Sequence, residues 1–150
     1  MERDQAIRFI HELLRKMIQV NGSDLFITAG FPPAIKVDGR VKPVTDQPLT
    51  PQQSASLVRS MLSESLRAVI SQTLLKKIGG GRIAAHEIMI GTAAIRNLIR
   101  EGKIAQMYSA IQTGQALGMQ TLDQCLQDLL RKGLISREEA RYRAQHKDAF

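Results

Sequence analysis

Apolar residues near the start of the chain recur every three or four positions, which is the spacing of an amphipathic α-helix. The stripe consists of Ile7, Ile10, Leu14 and Met17. It predicts a helix over residues 4–20. Asn21-Gly22 is expected to end this helix, because both residue types tolerate the left-handed conformation that closes a last turn. A short strand is predicted over residues 25–28.

Residues 34–44 have the pattern of a β-hairpin. Two short runs with apolar residues flank Asp38-Gly39, and an Asp-Gly pair is typical of a two-residue hairpin turn, because both turn positions need positive φ. Pro43 lacks a backbone N–H group, which places the second strand at the edge of its sheet. The first part of the chain is therefore predicted to be a helix packed on a small sheet.

One long helix is predicted over residues 51–78. Thr50 is a capping residue, Pro51 suits the first helical position, and Gln53 completes a capping box. No Gly or Pro then interrupts the chain before Gly79. Because a helix of more than about 25 residues is unusual in a small domain, this length also suggests that the segment contains a join.

The pattern after the glycines at 79–81 predicts a strand over residues 82–90 and then a series of short helices. Thr92 caps the first of these helices and Gly102 ends it. A second helix is predicted to begin near Ile104. Two capping boxes of the form Ser/Thr-x-x-Glu/Gln predict the last two helices, over residues 121–132 and 136–144.

Composition narrows the class of protein. Apolar residues make up 43% of the 150 residues and charged residues 23%, which excludes a disordered or fibrous protein. The net charge is +7, but Lys and Arg are spread along the chain, so nucleic acid is not the expected partner. The lone Cys125 lies on an apolar helical stripe, and no run of 18 apolar residues occurs. A reducing, cytoplasmic location without a membrane span is expected.

Sites for common chemistry are not expected in this sequence. The P-loop pattern that holds phosphates is missing, because Gly102-Lys103 is followed by Ile104, which has no hydroxyl for magnesium. The three histidines, His11, His86 and His146, show no metal-binding spacing. His86 is expected to make a local hydrogen bond on its strand, and Cys125 to pack in a core.

One short helical segment has an unusual polar face and is the candidate site. It consists of Ala94, Ile95, Arg96, Asn97, Leu98, Ile99 and Arg100. Its large apolar residues are predicted to point inward, whereas Arg96 and Arg100, four residues apart, are predicted to share an outer face with Asn97. Two guanidinium groups one turn apart can bind a carboxylate or phosphate pair on a partner. The alternative is an ordinary solvated helix face.

The same segment resembles the AIRNLIRE signature of the type IV pilus retraction ATPases of twitching motility, the PilT/PilU family of the type II/IV secretion ATPases. The PilT-like part runs from about Val58 to the C-terminus and includes the motif at residues 118–123. Residues 22–40 resemble the N-terminal, PAS-like domain of the family and are closer to the PilU branch. The chain thus resembles a PilU-like beginning joined to a PilT-like end, with the join between Gln53 and Arg59.

This resemblance implies an α+β fold in three parts. A truncated N-terminal PAS-like α/β segment would span residues 1–50, and the long helix with the join would span 51–78. A mainly helical C-terminal part of a RecA-like ATPase would span 79–150. The strand at 83–90 would be an edge of a core sheet whose neighbours are missing. Its backbone groups are therefore expected to need another partner, with marginal stability or self-association as the result.

For the intact family, the resemblance implies hexameric, Mg²⁺-dependent ATP hydrolysis that powers pilin removal at the inner membrane. The Walker A, Asp box, Walker B and His box motifs of the family have no counterpart here, so neither catalysis nor bound ATP and Mg²⁺ is expected. The resemblance implies instead that residues 94–100 contact retraction-ATPase subunits or the inner-membrane pilus machinery. Through that machinery the chain would be peripheral at the inner membrane. Two alternatives stay open: a small helix-turn-helix module that binds nucleic acid, and an inert deletion product.

Overall fold

The computed structural model describes residues 3–150, which form two compact units. The first comprises the described residues up to Ser65 together with Ile99–Gly102, and the second comprises Leu66–Leu98 and Lys103–Phe150. Helices and strands are mixed along the chain. In order they are α1 (Arg3–Gln19), β1 (Asp24–Phe26), β2 (Ala34–Val37), β3 (Arg40–Pro43), α2 (Pro51–Ser65), β4 (Ala68–Lys76), β5 (Arg82–Ile90), α3 (Ala93–Glu101), α4 (Ile104–Thr113), α5 (Leu122–Arg131) and α6 (Arg137–Arg143).

In the first unit, α1 packs against α2 and β1. The predicted first helix is confirmed. Of its apolar stripe, Ile10 lies in a buried cluster with Ala6, Leu13, Leu49 and Leu57, and Leu14 packs against that cluster. Asn21 ends the helix with a φ of 54°. The role of Gly22 is different from the predicted one: its φ is not left-handed, but a Cβ there would lie 2.3 Å from Cγ2 of Ile35.

The predicted hairpin is confirmed as β2 and β3. Asp38 and Gly39 have φ values of 51° and 75°, and the strands pair from Val37 opposite Arg40 to Ala34 opposite Pro43. The antiparallel sheet has the order β1-β2-β3, so β3, with its proline, is an edge strand as predicted. β1 ends at Phe26, two residues before the end of the strand predicted over residues 25–28. The assignment of residues 1–50 as PAS-like stays a prediction.

The predicted single helix over residues 51–78 is wrong. Its start is confirmed, because the Thr50 N–H donates to Gln53 Oε1 at 2.8 Å and the Gln53 N–H donates to Thr50 Oγ1 at 3.2 Å. However, α2 ends at Ser65, and the following residues form β4. Apolar and β-branched residues suit a strand as well as a helix, and β5 supplies a hydrogen-bonding partner along the whole of β4.

The expectation that β5 lacks neighbours is also wrong. On one side it pairs with β4 from Ala68 opposite Ile90 to Lys76 opposite Arg82. On the other side, Ile88 exchanges two backbone hydrogen bonds with Gln120, at 2.8 and 3.0 Å. Among residues 3–150, the outer edge of β4 has no comparable backbone bridge.

The second unit is built around a buried cluster that joins the β4–β5 hairpin to α5 and α6. Its members include Leu75, Ala85, Leu126, Leu129, Ile135 and Ala140. The capping box at Thr121 is confirmed. The box at Ser136 is only half formed, because the Glu139 N–H donates to Ser136 Oγ at 3.1 Å but the Glu139 carboxylate accepts the N–H of Lys76 instead, at 3.2 Å.

None of the helices in the described part of the chain combines the length and apolar character that crossing a bilayer requires.

Candidate partner-binding helix

Local sequence signals place the candidate segment on α3. Thr92 Oγ1 accepts the Ile95 N–H at 3.3 Å and so caps the start of the helix. Gly102, with a φ of 66°, ends it. Ile95 and Ile99 are 0% and 8% exposed, and Leu98 is half-buried. The prediction that the apolar face of this helix points inward is thus confirmed.

Arg96 is not on a solvated outer face, and that part of the prediction is wrong. Its side chain is half-buried, with Nε donating to the backbone carbonyl of Gly91 at 2.8 Å and Nη2 donating to that of Leu66 at 3.4 Å. Leu66 lies just before β4 and Gly91 just after β5. The guanidinium group therefore links the two chain segments at the open end of the hairpin. Helical spacing does not reveal this link, because both acceptors are backbone atoms.

Gly91 lets the same two chain segments approach closely. Its N–H donates to the Arg67 carbonyl at 2.7 Å, and a Cβ at this position would lie 2.5 Å from the Leu66 carbonyl oxygen. Any larger residue would have to displace backbone, which is much harder than moving a flexible side chain. Gly91 is thus needed for space, and a glycine directly after a predicted strand was the available sequence signal.

The accessible part of the candidate segment is small. Ala94 is exposed, while Asn97 and Arg100 are half-buried and each makes interactions within the chain. A partner that approaches this helix would therefore meet Ala94, Asn97 and Arg100, whereas Arg96 would act through the fold behind them.

A second polar cluster, which the sequence did not reveal, surrounds Asp123 at the start of α5. Asp123 is only 6% exposed. Its carboxylate accepts the backbone N–H of Gln145 at 2.8 Å and that of His146 at 3.0 Å. His146 Nδ1 lies 2.9 Å from Oδ2, and the Tyr108 hydroxyl donates to the same oxygen at 3.4 Å. The cluster thereby holds the segment after α6 against α5.

The charge state of Asp123 follows from these contacts. Burial is the largest single influence and raises the pKa of the carboxyl group, but the hydrogen bonds from Gln145 and His146 together outweigh it. The pKa of Asp123 consequently lies below its ordinary value. For Tyr108, burial raises the pKa of the phenol above its ordinary value, and the nearby negative charge of Asp123 adds to this. Asp123 is thus an ionised anchor at neutral pH.

The remaining histidines and the cysteine make local contacts. His86 Nε2 lies 3.0 Å from Gln72 Oε1 on the neighbouring strand, which confirms the predicted local hydrogen bond. His11 Nε2 lies 3.4 Å from Glu64 Oε2. Cys125 is half-buried beside the core cluster and accepts the His86 N–H at 3.4 Å, as expected for a packed thiol. Within residues 3–150, no three His, Cys, Asp or Glu side chains are placed to hold a metal ion.

Comparison with known proteins identifies relatives of the chain. It is 72% identical over 100 residues to the type IV pilus retraction ATPase PilT of Pseudomonas aeruginosa, a match that covers 67% of this chain and 29% of that protein. The chain is a homologue of part of the type IV pilus retraction ATPases. A twitching motility protein of Neisseria gonorrhoeae is 61% identical over 101 residues, which cover 67% of this chain and 27% of that protein. No protein-family model matches.

Two further comparisons extend this homology. The type IV pilus ATPase PilU of Pseudomonas aeruginosa is 54% identical over 56 residues, or 37% of this chain and 15% of that protein. A crystal structure of the pilus retraction motor PilT with bound ADP matches with a TM-score of 0.57 and 44% identity, over 70% of this chain and 28% of that one. The predicted resemblance to PilT and PilU is confirmed. The chain spans less than a third of the length of these relatives.

Proposed function

We propose that this chain is a partial retraction ATPase that does not hydrolyse ATP and that binds subunits of an intact retraction ATPase or the pilus machinery at the inner membrane. The observation behind the proposal is the 72% identity to PilT over a stretch that covers only 29% of that protein. At this identity, a surface of PilT that contacts other proteins would have a close counterpart in the matched part of this chain. We further propose that residues 1–50 derive from a PAS-like domain and residues 79–150 from a RecA-like ATPase domain.

The proposal that ATP is not hydrolysed is supported by the places that the glycines occupy. Gly79, Gly80 and Gly81 lie in the turn between β4 and β5, so no helix N-terminus follows them to hold a phosphate. The Lys103 N–H, next to Gly102, is already bonded to the Leu98 carbonyl at 2.9 Å. These residues do not fit a nucleotide phosphate or its Mg²⁺, and no step of hydrolysis can be assigned to them.

The proposed contact surface is the accessible side of α3. Ala94, Asn97 and Arg100 follow one another at helical spacing of three residues, and Ile95 and Ile99 anchor the helix from below. A guanidinium group at the rim of an interface gives a partner carboxylate both charge and geometry. Arg96 would support this surface indirectly, by fixing the hairpin to the helix that carries it.

A pull-down of full-length retraction ATPase by this chain tests the proposal, with ATP hydrolysis by the partner followed in the same samples. Arg100→Ala should weaken co-purification at least about fivefold, a typical effect of removing one interfacial charge. Arg141→Ala, which removes an exposed arginine of α6, is the matched control and should bind normally. Absence of binding by the unmodified chain would refute the contact, and hydrolysis by the chain alone would refute the first part of the proposal.

The nucleic-acid alternative gains no specific support. The short helix α6 contains Glu138 and Glu139 beside its arginines, and Glu139 lies 3.7 Å from Arg143 Nε. A helix that reads base edges or phosphates needs donors on that surface, so this alternative is not proposed.

A further inference from the structure

The outer edge of β4 is open. The Gly91 N–H donates to the Arg67 carbonyl, and the Lys77 N–H donates to the Gly81 carbonyl, so odd-numbered residues of this strand direct their backbone groups toward β5. Even-numbered residues direct theirs away from it. Across residues 3–150, no backbone hydrogen bond reaches the outward groups of Ala68, Ile70, Gln72 or Leu74. These four residues present a row of free donors and acceptors.

The open edge has a defined end. The outward N–H of Lys76 is bonded to the Glu139 carboxylate at 3.2 Å, and α6, which carries Glu139, packs into the same core as Leu75. A strand added to this edge can therefore pair only with residues 68–74. This length matches a typical strand in globular proteins.

Large apolar side chains are exposed at this edge. Ile70 and Leu74 are 65% and 46% exposed, whereas Leu75 on the opposite face is fully buried. No charged residue interrupts residues 68–75. Natural edge strands are usually protected by charges, prolines or bulges within the strand, and β4 has none of these between Ala68 and Leu75. The edge is thus suited to pairing with another segment.

Charge at the two ends restricts which segment can pair. Arg67 precedes the strand, and Lys76 and Lys77 end it, all exposed and with no acidic residue from 66 to 77. A second copy added antiparallel would place Arg67 near Lys77 of the other copy, and a parallel copy would place each cation beside its equivalent. Like charges directly opposite each other destabilise strand pairs, so either arrangement of two copies is disfavoured.

We propose that β4 is a docking edge for an extended segment of another protein, which adds a third strand to the β4–β5 sheet. The segment has apolar residues at alternate central positions, where they cover Ile70 and Leu74, and carboxylates at both ends, where they meet Arg67 and the Lys76-Lys77 pair. Backbone hydrogen bonds supply affinity, and the charged ends supply selectivity. This docking edge is independent of the surface proposed on α3.

Two synthetic peptides test the proposal by fluorescence anisotropy at low salt. Both alternate Val and Thr in the centre, but one has glutamates at its ends and the other has lysines. The glutamate-ended peptide should bind at least about tenfold more tightly, and the difference should shrink as salt screens the end charges. Equal binding of the two peptides, or binding of neither, would overturn the proposal.

Paired substitutions at Gln72 test the role of the edge itself. Gln72→Pro removes an outward N–H group and leaves the hydrogen bonds between β4 and β5 in place. Gln72→Ala keeps that N–H, and both variants lose the side-chain contact with His86. The proline variant should bind the glutamate-ended peptide at least about tenfold more weakly than the alanine variant, at equal circular dichroism. Equal affinity of the proline and alanine variants for this peptide would overturn the proposal.

A charge reversal tests whether weaker peptide binding is caused by loss of folding. The double variant Lys76→Glu, Lys77→Glu should gain affinity for the lysine-ended peptide, a result that a misfolded chain cannot give. Analytical ultracentrifugation without peptide tests whether a second copy of the chain occupies the edge instead. A dimer that forms in the unmodified chain and is abolished by Gln72→Pro would overturn the proposal in favour of a second copy at this edge.

Discussion

The Arg96 guanidinium donates to the Gly91 carbonyl oxygen at 2.8 Å, and so the first arginine of the α3 motif bonds to the end of β5. Arg100 lies one turn later on the same helix, where it is half-buried and makes its own interactions within the chain. Their spacing in sequence suggests a matched pair, but Arg96 bonds to backbone carbonyls of the hairpin, and we propose the partner contact for Arg100 alone. Substitutions at the two positions should separate stability from partner binding.

Arg96→Ala is expected to lower the free energy of unfolding by about 1.5–3 kcal/mol, because charge-assisted hydrogen bonds to two half-buried carbonyl groups are lost. Urea denaturation followed by circular dichroism measures this. Arg137→Ala, at an exposed position, should change the free energy by less than about 0.5 kcal/mol. A similar small effect for both variants would contradict the role assigned to Arg96.

Gly91→Ala is expected to destabilise the chain by about 1–3 kcal/mol, since the added Cβ would lie 2.5 Å from the Leu66 carbonyl oxygen and backbone must move. Gly39→Asn is the comparison, because a Cβ there meets nothing within 4 Å and Asn tolerates its left-handed φ. Thermal denaturation should show a clearly larger decrease for the Gly91 variant. Equal decreases would mean that space at Gly91 is not limiting.

Stability should depend on the ionisation of Asp123. Its folded pKa is lowered, so its contribution is complete above the unfolded pKa and is lost as pH falls through the folded pKa. Asp123→Asn should cost about 1–3 kcal/mol at neutral pH, because the carboxylate acceptor for Gln145 and His146 is replaced. The difference between the two proteins, measured by urea denaturation, should shrink as the pH falls below about 5. A difference that stays constant down to low pH would contradict the ionised anchor.

Glu139→Ala should lower stability by about 1 kcal/mol, since the Lys76 N–H loses its acceptor and Arg143 its carboxylate neighbour. Glu138→Ala, one residue earlier and exposed, should be nearly neutral. The Glu139 variant should also lengthen the open edge of β4 by one outward N–H. Hydrogen exchange of the Lys76 amide would show this as faster exchange than in the Glu138 variant.

Local signals in the sequence predicted much of the fold. Thr50 and Gln53 predicted the start of α2, Asp38-Gly39 predicted the turn of the first hairpin, and Thr121 predicted the start of α5. Each of these residues acts on backbone groups within three positions of itself, so neighbouring residues contain the necessary information. These features are predictable without knowledge of the tertiary structure, and the structure confirms them.

Features that depend on distant residues were not predictable. β4 was mistaken for helix because its partner, β5, decides its conformation, and the apolar spacing fits both states. Arg96 was placed on an outer face because its acceptors, the carbonyls of Leu66 and Gly91, have no side-chain signature. Asp123 and His146 come together only through the packing of α5 and α6. The contact of Arg96 with Leu66 and that of Asp123 with His146 join residues 30 and 23 positions apart in the chain.

The turn between β4 and β5 offers a place to divide the protein. Gly79, Gly80 and Gly81 all have positive φ, from 77° to 102°, and a Cβ on any of them would meet nothing within 4 Å. Exposed Lys76, Lys77 and Arg82 flank the turn, so trypsin should cleave there before it reaches the buried core. Nine pairs of residues join the strands on either side, and the two pieces should stay associated after the cut, as complementary fragments that can be produced separately and recombined.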